Sequence, residues 1–169
     1  MSRCVKTLAL CAGLLTLGGG CGQAQVWPPS PATLLPGEES CAACRMFVSD
    51  PRFAAQRHAR DGSVEWFDDV GCLVEKYGPD VGDPEGVFVH AFEGEAWLRG
   101  DSGHAVHTSD IDSPMGYGWR AYATLGQARA AAANHADSEL LPITDLLHGG
   151  GAISPPRPTD RDPETPKRN

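Results

Sequence analysis

Two short stretches, WFDDVG at residues 66–71 and RAYATLG at 120–126, limit how this chain can fold. Each sets an aromatic residue, a helix-capping side chain two places on, then an aliphatic residue and a glycine. Phe67, Asp69, Val70 and Gly71 fill the first; Tyr122, Thr124, Leu125 and Gly126 fill the second at a constant offset. Asp68 or Asp69 in the first and Thr124 in the second can accept from the free amides of a helix's first turn, so a helix should follow each stretch. After the first, Val70, Leu73, Val74 and Tyr77 recur at helical spacing and Gly78 can end the run. Cys72 falls opposite that apolar stripe, where only a second covering element would bury it. After the second, Thr124 with Gln127 makes a capping box ahead of an alanine run. Strand-like pieces surround the helices: MFVSD and FAAQRHA about the Asp50-Pro51 turn, SVEWF after Asp61-Gly62, then GVFVHAF, GEAWLRG, HAVHTSD and WRAYA. TDLLHG predicts a last short helix. The order points to an α+β fold of two small ββαβ units packed together.

The ends of the chain do not belong to that fold. Arg3 and Lys6 precede the short apolar run TLALCAGLLTLGGG, which reads as an export signal over residues 1–20. Small residues then lead into Cys21, an order like the lipobox at which an exported lipoprotein is cleaved and acylated, although Gly18 stands where an aliphatic residue is usual. Acylation at Cys21 would leave the protein lipid-anchored; cleavage nearby without it would leave the protein secreted or periplasmic. The proline-rich residues 21–39 read as a flexible tether and residues 150–169 as a disordered tail, leaving 40–149 as the folded module. A net charge of −8 argues against nucleic acid, which demands a basic stripe that is absent here.

With Cys4 and Cys11 in the leader and Cys21 acylated, three cysteines remain: Cys41, Cys44 and Cys72. An odd number of thiols in an oxidising compartment is a poor disulfide framework, and a bound metal is one way to occupy them. The stretch SCAACRMFVSD concentrates Cys41, Cys44 and Met46. A redox CxxC normally opens a helix whose dipole lowers a thiol pKa, and the residues after Cys44 look extended instead. Structural zinc would call for a second Cys or His pair at suitable spacing, and the chain has none. A thioether binds soft Cu(I) well and hard divalent ions poorly, so Met46 widens the choice to copper. In an extended backbone Cys44 and Met46 would share a face. Packing in the core remains open for Met46. Met115, held between Pro114 and Gly116, is either an idle turn residue or a displayed ligand. His104 and His107 lie upstream as ordinary histidines or further donors.

Taken together, CAACRMFVSDPRFAAQ, WFDDVGC and VHTSDIDSPMGYGWRAYA resemble the NosL family of lipoprotein copper chaperones, over roughly residues 41–133. The resemblance implies a Cu(I) carrier for nitrous oxide reductase assembly in denitrification. It would not be an enzyme, and would sit lipid-anchored on the periplasmic face of a bacterial membrane beside a copper recipient or transporter complex. It places the ligands at Cys44, Met46 and Met115, with Cys41 an alternative thiolate and His107 a further donor. Asp68 and Asp69 match the family element, and helix capping accounts for them. One departure is Arg45, where the family often has glycine. The rival readings are an exported CxxC thiol–disulfide oxidoreductase and a lipoprotein scaffold without metal.

Overall fold

The computed structural model describes residues 26–151. The expected signal segment 1–20, Cys21 and residues 152–169 of the expected tail lie outside the described residues. Among the described residues seven strands and three α-helices follow in order: β1 (Ala55–His58), β2 (Val64–Phe67), α1 (Val70–Tyr77), β3 (Val87–His90), β4 (Trp97–Arg99), β5 (His104–His107), β6 (Trp119–Tyr122), α2 (Leu125–Ala132), β7 (Glu139–Pro142) and α3 (Ile143–Leu147). Among the described residues no helix is long and apolar enough to cross a membrane.

The strands make two small antiparallel sheets, one in the order β2-β1-β3-β4 and one in the order β6-β5-β7. Both repeat one pattern: a hairpin, a helix, then a strand that returns to the other side of the first. Ala55 accordingly pairs with Phe67 on one side and Val89 on the other. His104 pairs with Tyr122 and Pro142 in the same way. The capped helices start where the sequence indicates. Asp69 accepts from the Gly71 amide, and Thr124 and Gln127 form the reciprocal capping box. A parallel bridge between Ala91 and Ala121 joins the sheets. One core then draws on both units, with Phe67, Leu73, Val87, Trp119, Ile143 and Leu147 buried together.

Three local features differ from the sequence reading. MFVSD forms no strand; Phe47 makes a single bridge to Ser40, and Asp50 caps a short 3-10 turn over Pro51–Phe53. Strand β7 carries no alternating pattern and is recruited by pairing with β5. The described part of the expected tether, residues 26–39, lies on the module. The carboxamide of fully buried Gln56 accepts from the Ala32 amide (2.7 Å) and donates to the Ala32 carbonyl (3.3 Å). Ala32 and Leu34 pack against Val48, Ala54 and Trp66. The Trp27 indole donates to Asp83 (3.0 Å), with the Arg60 guanidinium 4.0 Å over its ring. Proline-rich chain cannot supply a full ladder of amides, but a single free peptide group facing a buried amide side chain is enough to dock it.

Candidate metal centre

The cysteine loop is tight and anchored at both ends. The Cys41 amide donates to the Met46 carbonyl (2.8 Å), the Arg45 amide to the Cys41 carbonyl (3.0 Å), and the Ala42 amide to Trp66 of β2 (2.8 Å). Cys44 therefore sits in a turn, and the chain reverses through Arg45 at φ 68°. The expected extended run sharing a face between Cys44 and Met46 does not form. Cys44 is half-buried, while Met46 is 57% exposed.

Cys72 belongs to the first turn of α1, opposite the apolar stripe, and is nevertheless only 1% exposed. The covering element is the cysteine loop itself. Cys41, Cys44 and Cys72 bring their sulfurs within 4.8 Å of one another. Metal–thiolate bonds of about 2.3 Å put sulfurs sharing an ion roughly 4 Å apart, so small side-chain adjustments would let all three reach one ion.

Hydrogen bonding divides the thiols. The Cys72 thiol donates to Cys41 and brings the Cys41 pKa down to about 4, against the opposing effect of burial and with help from the backbone amides of Asp68, Cys44 and Ala43. The same bond, with burial, drives the Cys72 thiol far up. Burial raises the Cys44 thiol. Hydrogen bonding thus makes Cys41 the most acidic of the three thiols, with Cys72 its buried donor and Cys44 facing outward.

Two adjacent carboxylates, both at most 1% exposed, hold the cluster from either side. Asp68 accepts from the Ser49 amide (2.8 Å) and hydroxyl (3.2 Å), which ties down the arm that leaves the cysteine loop. Asp69 accepts from Gly71 (2.9 Å), from the Ser113 hydroxyl (2.6 Å) and from the Met115 amide (3.4 Å). Of the two carboxylates that the sequence allows as helix cap, Asp69 takes the role, and it is also the link to the PMG turn. Burial raises the pKa of both carboxyls.

The turn is shaped by Gly116 and Gly118, with φ of 75° and 71°. It sets the Tyr117 ring on the start of α1, so close that a Cβ on Gly71 would lie 2.1 Å from Tyr117 Cγ. The Tyr117 hydroxyl donates to Glu75 of the same helix. Met115 is half-buried and packs on the core cluster that contains Cys41 and Cys72, rather than standing free at the turn tip. The His107 ring lies 5.0 Å from that of Trp119 at a tilt of 47°, and among the described residues no histidine joins the three sulfurs. The structure thus brings Cys41 and Cys44 together with Cys72. The sequence reading left Cys72 without a role because its helical face gives no sign of what lies above it.

A profile described as NosL matches residues 32–147, well over half of the chain. The chain belongs to the NosL family. Among solved structures, the copper chaperone NosL from Shewanella denitrificans has the same fold. The TM-score is 0.54 at 15% identity, covering 68% of this chain and 93% of the other. No curated protein matches in sequence. The NosL match begins at Ala32, the residue held by Gln56, and so takes in part of the segment read as tether from sequence.

Proposed function

We propose that this NosL family protein is a carrier of Cu(I) that delivers the ion by ligand exchange and performs no catalysis. The reading is supported by one observation above all: three cysteine sulfurs within 4.8 Å, two of them buried and one half-exposed. Three soft donors with no fourth protein ligand among the described His, Cys, Asp and Glu suit Cu(I), which accepts low coordination, better than four-coordinate zinc. Cys41, whose pKa the Cys72 hydrogen bond lowers, is the sulfur that gives up its proton most readily. Cys44 releases its proton as the ion arrives, as metal binding requires. Cys72 completes the set from α1, and half-exposed Cys44 is the side through which the ion enters and leaves. Met115 borders the cluster, and Met46 stands at its lip as a thioether for capture or hand-over. His107 would act only as a later exchange ligand.

The family supports the wider setting as proposal: export, anchorage through an acylated Cys21 on the periplasmic face, and delivery toward nitrous oxide reductase. The thiol oxidoreductase reading is weaker. Cys41, the lowered thiol, is 1% exposed, and the accessible Cys44 has its pKa raised. A scaffold without metal leaves three clustered thiols unexplained.

An anaerobic Cu(I) titration against a competing chelator, with X-ray absorption on the product, tests the reading. One ion per chain with sulfur neighbours only is the expected result. An absence of binding, or a shell dominated by nitrogen, would overturn it.

A further inference from the structure

The cysteine loop is folded as a ring that one further bond would close. The Arg45 amide donates to the Cys41 carbonyl (3.0 Å) and the Cys41 amide to the Met46 carbonyl (2.8 Å), so residues 41–45 make a single helix-like turn. Positions three apart on such a turn share a face, with Cβ atoms about 5–6 Å apart. Cys41 and Cys44 hold those positions, and their sulfurs lie within 4.8 Å of each other and of Cys72. A disulfide draws the two Cβ atoms to about 3.8 Å, a short step for an arm that runs on into exposed Arg45. No strand or helix has to move for it.

Access and hydrogen bonding separate the three sulfurs. Cys44 is half-exposed, while Cys41 and Cys72 are each 1% exposed, so an oxidant from solvent meets Cys44 first. Cys41 is the sulfur that accepts, from the Cys72 thiol and from the amides of Asp68, Cys44 and Ala43, whereas Cys72 donates. Thiol–disulfide exchange proceeds through the thiolate, and the accepting sulfur is the one its surroundings favour in that form. Cys72 is also held in place on α1, whose start is fixed by the Asp69 cap and by the Tyr117 ring against Gly71. Cys41, three residues away in the same turn, is the sulfur that reaches Cys44.

We propose that Cys41 and Cys44 form a reversible disulfide that switches the metal centre off and leaves Cys72 as a free thiol. The oxidant is an external disulfide. The Cys44 thiolate attacks one of its sulfurs and displaces the other as a thiolate. The Cys41 sulfur then attacks Cys44 Sγ and displaces the second. Two cysteine thiols give up two protons and two electrons, and the external disulfide takes up both and departs as two thiols. The bond consumes two of the three donors and leaves one buried sulfur, too few for Cu(I). Its ring spans only residues 41–44, so loop closure stabilises the bond little and an external thiol reopens it. Under the proposed export these thiols would meet such oxidants. The control of copper rests on the Cu(I)-carrier reading; the bond itself does not.

The test uses the full chain, reduced and metal-free, carrying Cys4→Ser, Cys11→Ser and Cys21→Ser, with oxidised glutathione as the oxidant. Trypsin separates the outcomes, because Cys41 and Cys44 share the peptide that ends at Arg45 and Cys72 lies in residues 61–76. The first peptide should lose two hydrogens while Cys72 stays open to alkylation after unfolding, and the far-ultraviolet circular dichroism should be unchanged. The Cu(I) affinity of the oxidised chain should fall by more than the roughly 100-fold that loss of an outer partner costs at most, and dithiothreitol should restore it. Cys44→Ser should block the oxidation, and Cys72→Ser should still form the Cys41–Cys44 bond. A bond joining residues 61–76 to the first peptide, glutathione retained on Cys44, or undiminished Cu(I) affinity after oxidation would each overturn the proposal. A chain that forms the bond but takes up no Cu(I) when reduced sinks the carrier reading, and the control of copper with it. One that takes up Cu(I) and never forms the bond sinks the switch alone.

Discussion

The Ser113 hydroxyl donates to the buried Asp69 carboxylate across 2.6 Å, joining positions 44 residues apart. Asp69 caps the helix that carries Cys72, and Ser113 opens the turn that carries Met115, so this one bond fixes two parts of the candidate site relative to each other. Asp68, its neighbour, does the same for the arm beyond the cysteine loop through Ser49.

Removing the clamp should therefore cost both stability and metal affinity. Asp69→Ala loses the cap and leaves the Ser113 hydroxyl and Met115 amide without their acceptor, a loss of about 2–4 kcal/mol from those bonds together. Ser113→Ala keeps the cap and should cost about 1–2 kcal/mol. Urea unfolding ranks the two, and an unchanged midpoint in Ser113→Ala would show that the tie to the turn contributes little.

Gly71 should tolerate no side chain. Its Cβ would meet Tyr117 Cγ at 2.1 Å, and neither the helix start nor the ring root can move freely. Overpacking of this kind costs about 1–3 kcal/mol. Gly71→Ala should lower the unfolding midpoint accordingly and shift the Tyr117 resonances. Gly126, the equivalent position in the second unit, has only Thr124 Oγ1 nearby at 3.9 Å, so Gly126→Ala should be neutral or stabilising.

Cysteine substitutions should separate the sulfurs by role. Cys72→Ser removes a donor from the buried side, and the Cu(I) affinity should fall by more than the roughly 10–100-fold that loss of an outer partner costs. Met46→Ala removes an exposed thioether and should change equilibrium affinity by less than about tenfold. Competition with a Cu(I) chelator measures both. The reverse order would return the ligand set to Cys44, Met46 and Met115.

Stability should decline on mild acidification through His58. Its Nε2 bonds Gln56 Oε1 at 2.7 Å, its Nδ1 has no partner, and burial lowers its pKa below the ordinary value of 6.5. The unfolded chain therefore binds the proton first, and stability falls as the pH drops through about 6.5 toward the folded pKa. Urea midpoints at pH 7.5 and 5.5 should differ more for the wild type than for His58→Phe. Because Gln56 also holds Ala32, the segment at residues 26–36 should loosen first, seen as a change in Trp27 fluorescence.

The helices were legible because their signals are local. Asp69, Thr124 and Gln127 act on amides two or three residues away, and Val70, Leu73 and Val74 declare their face by spacing alone. The duplicated stretch gave the two-unit architecture for the same reason. Strand β7 and the seating of Ala32 were not legible, since each depends on a partner supplied by distant chain, β5 in one case and Gln56 in the other.

The candidate site divides along the same line. Sequence by itself determined that soft donors gather at Cys41, Cys44 and Met46, that helices begin after Asp69 and Thr124, and that the motifs are those of the NosL family. Only the tertiary structure decided which sulfurs meet. A turn through Arg45 took Met46 outward, and the loop it closes came to lie on the polar-looking face of α1, burying Cys72 beneath Cys41. The physical reason is that side-chain spacing reports the direction a residue faces along its own element, whereas a metal site is set by which other element covers that face.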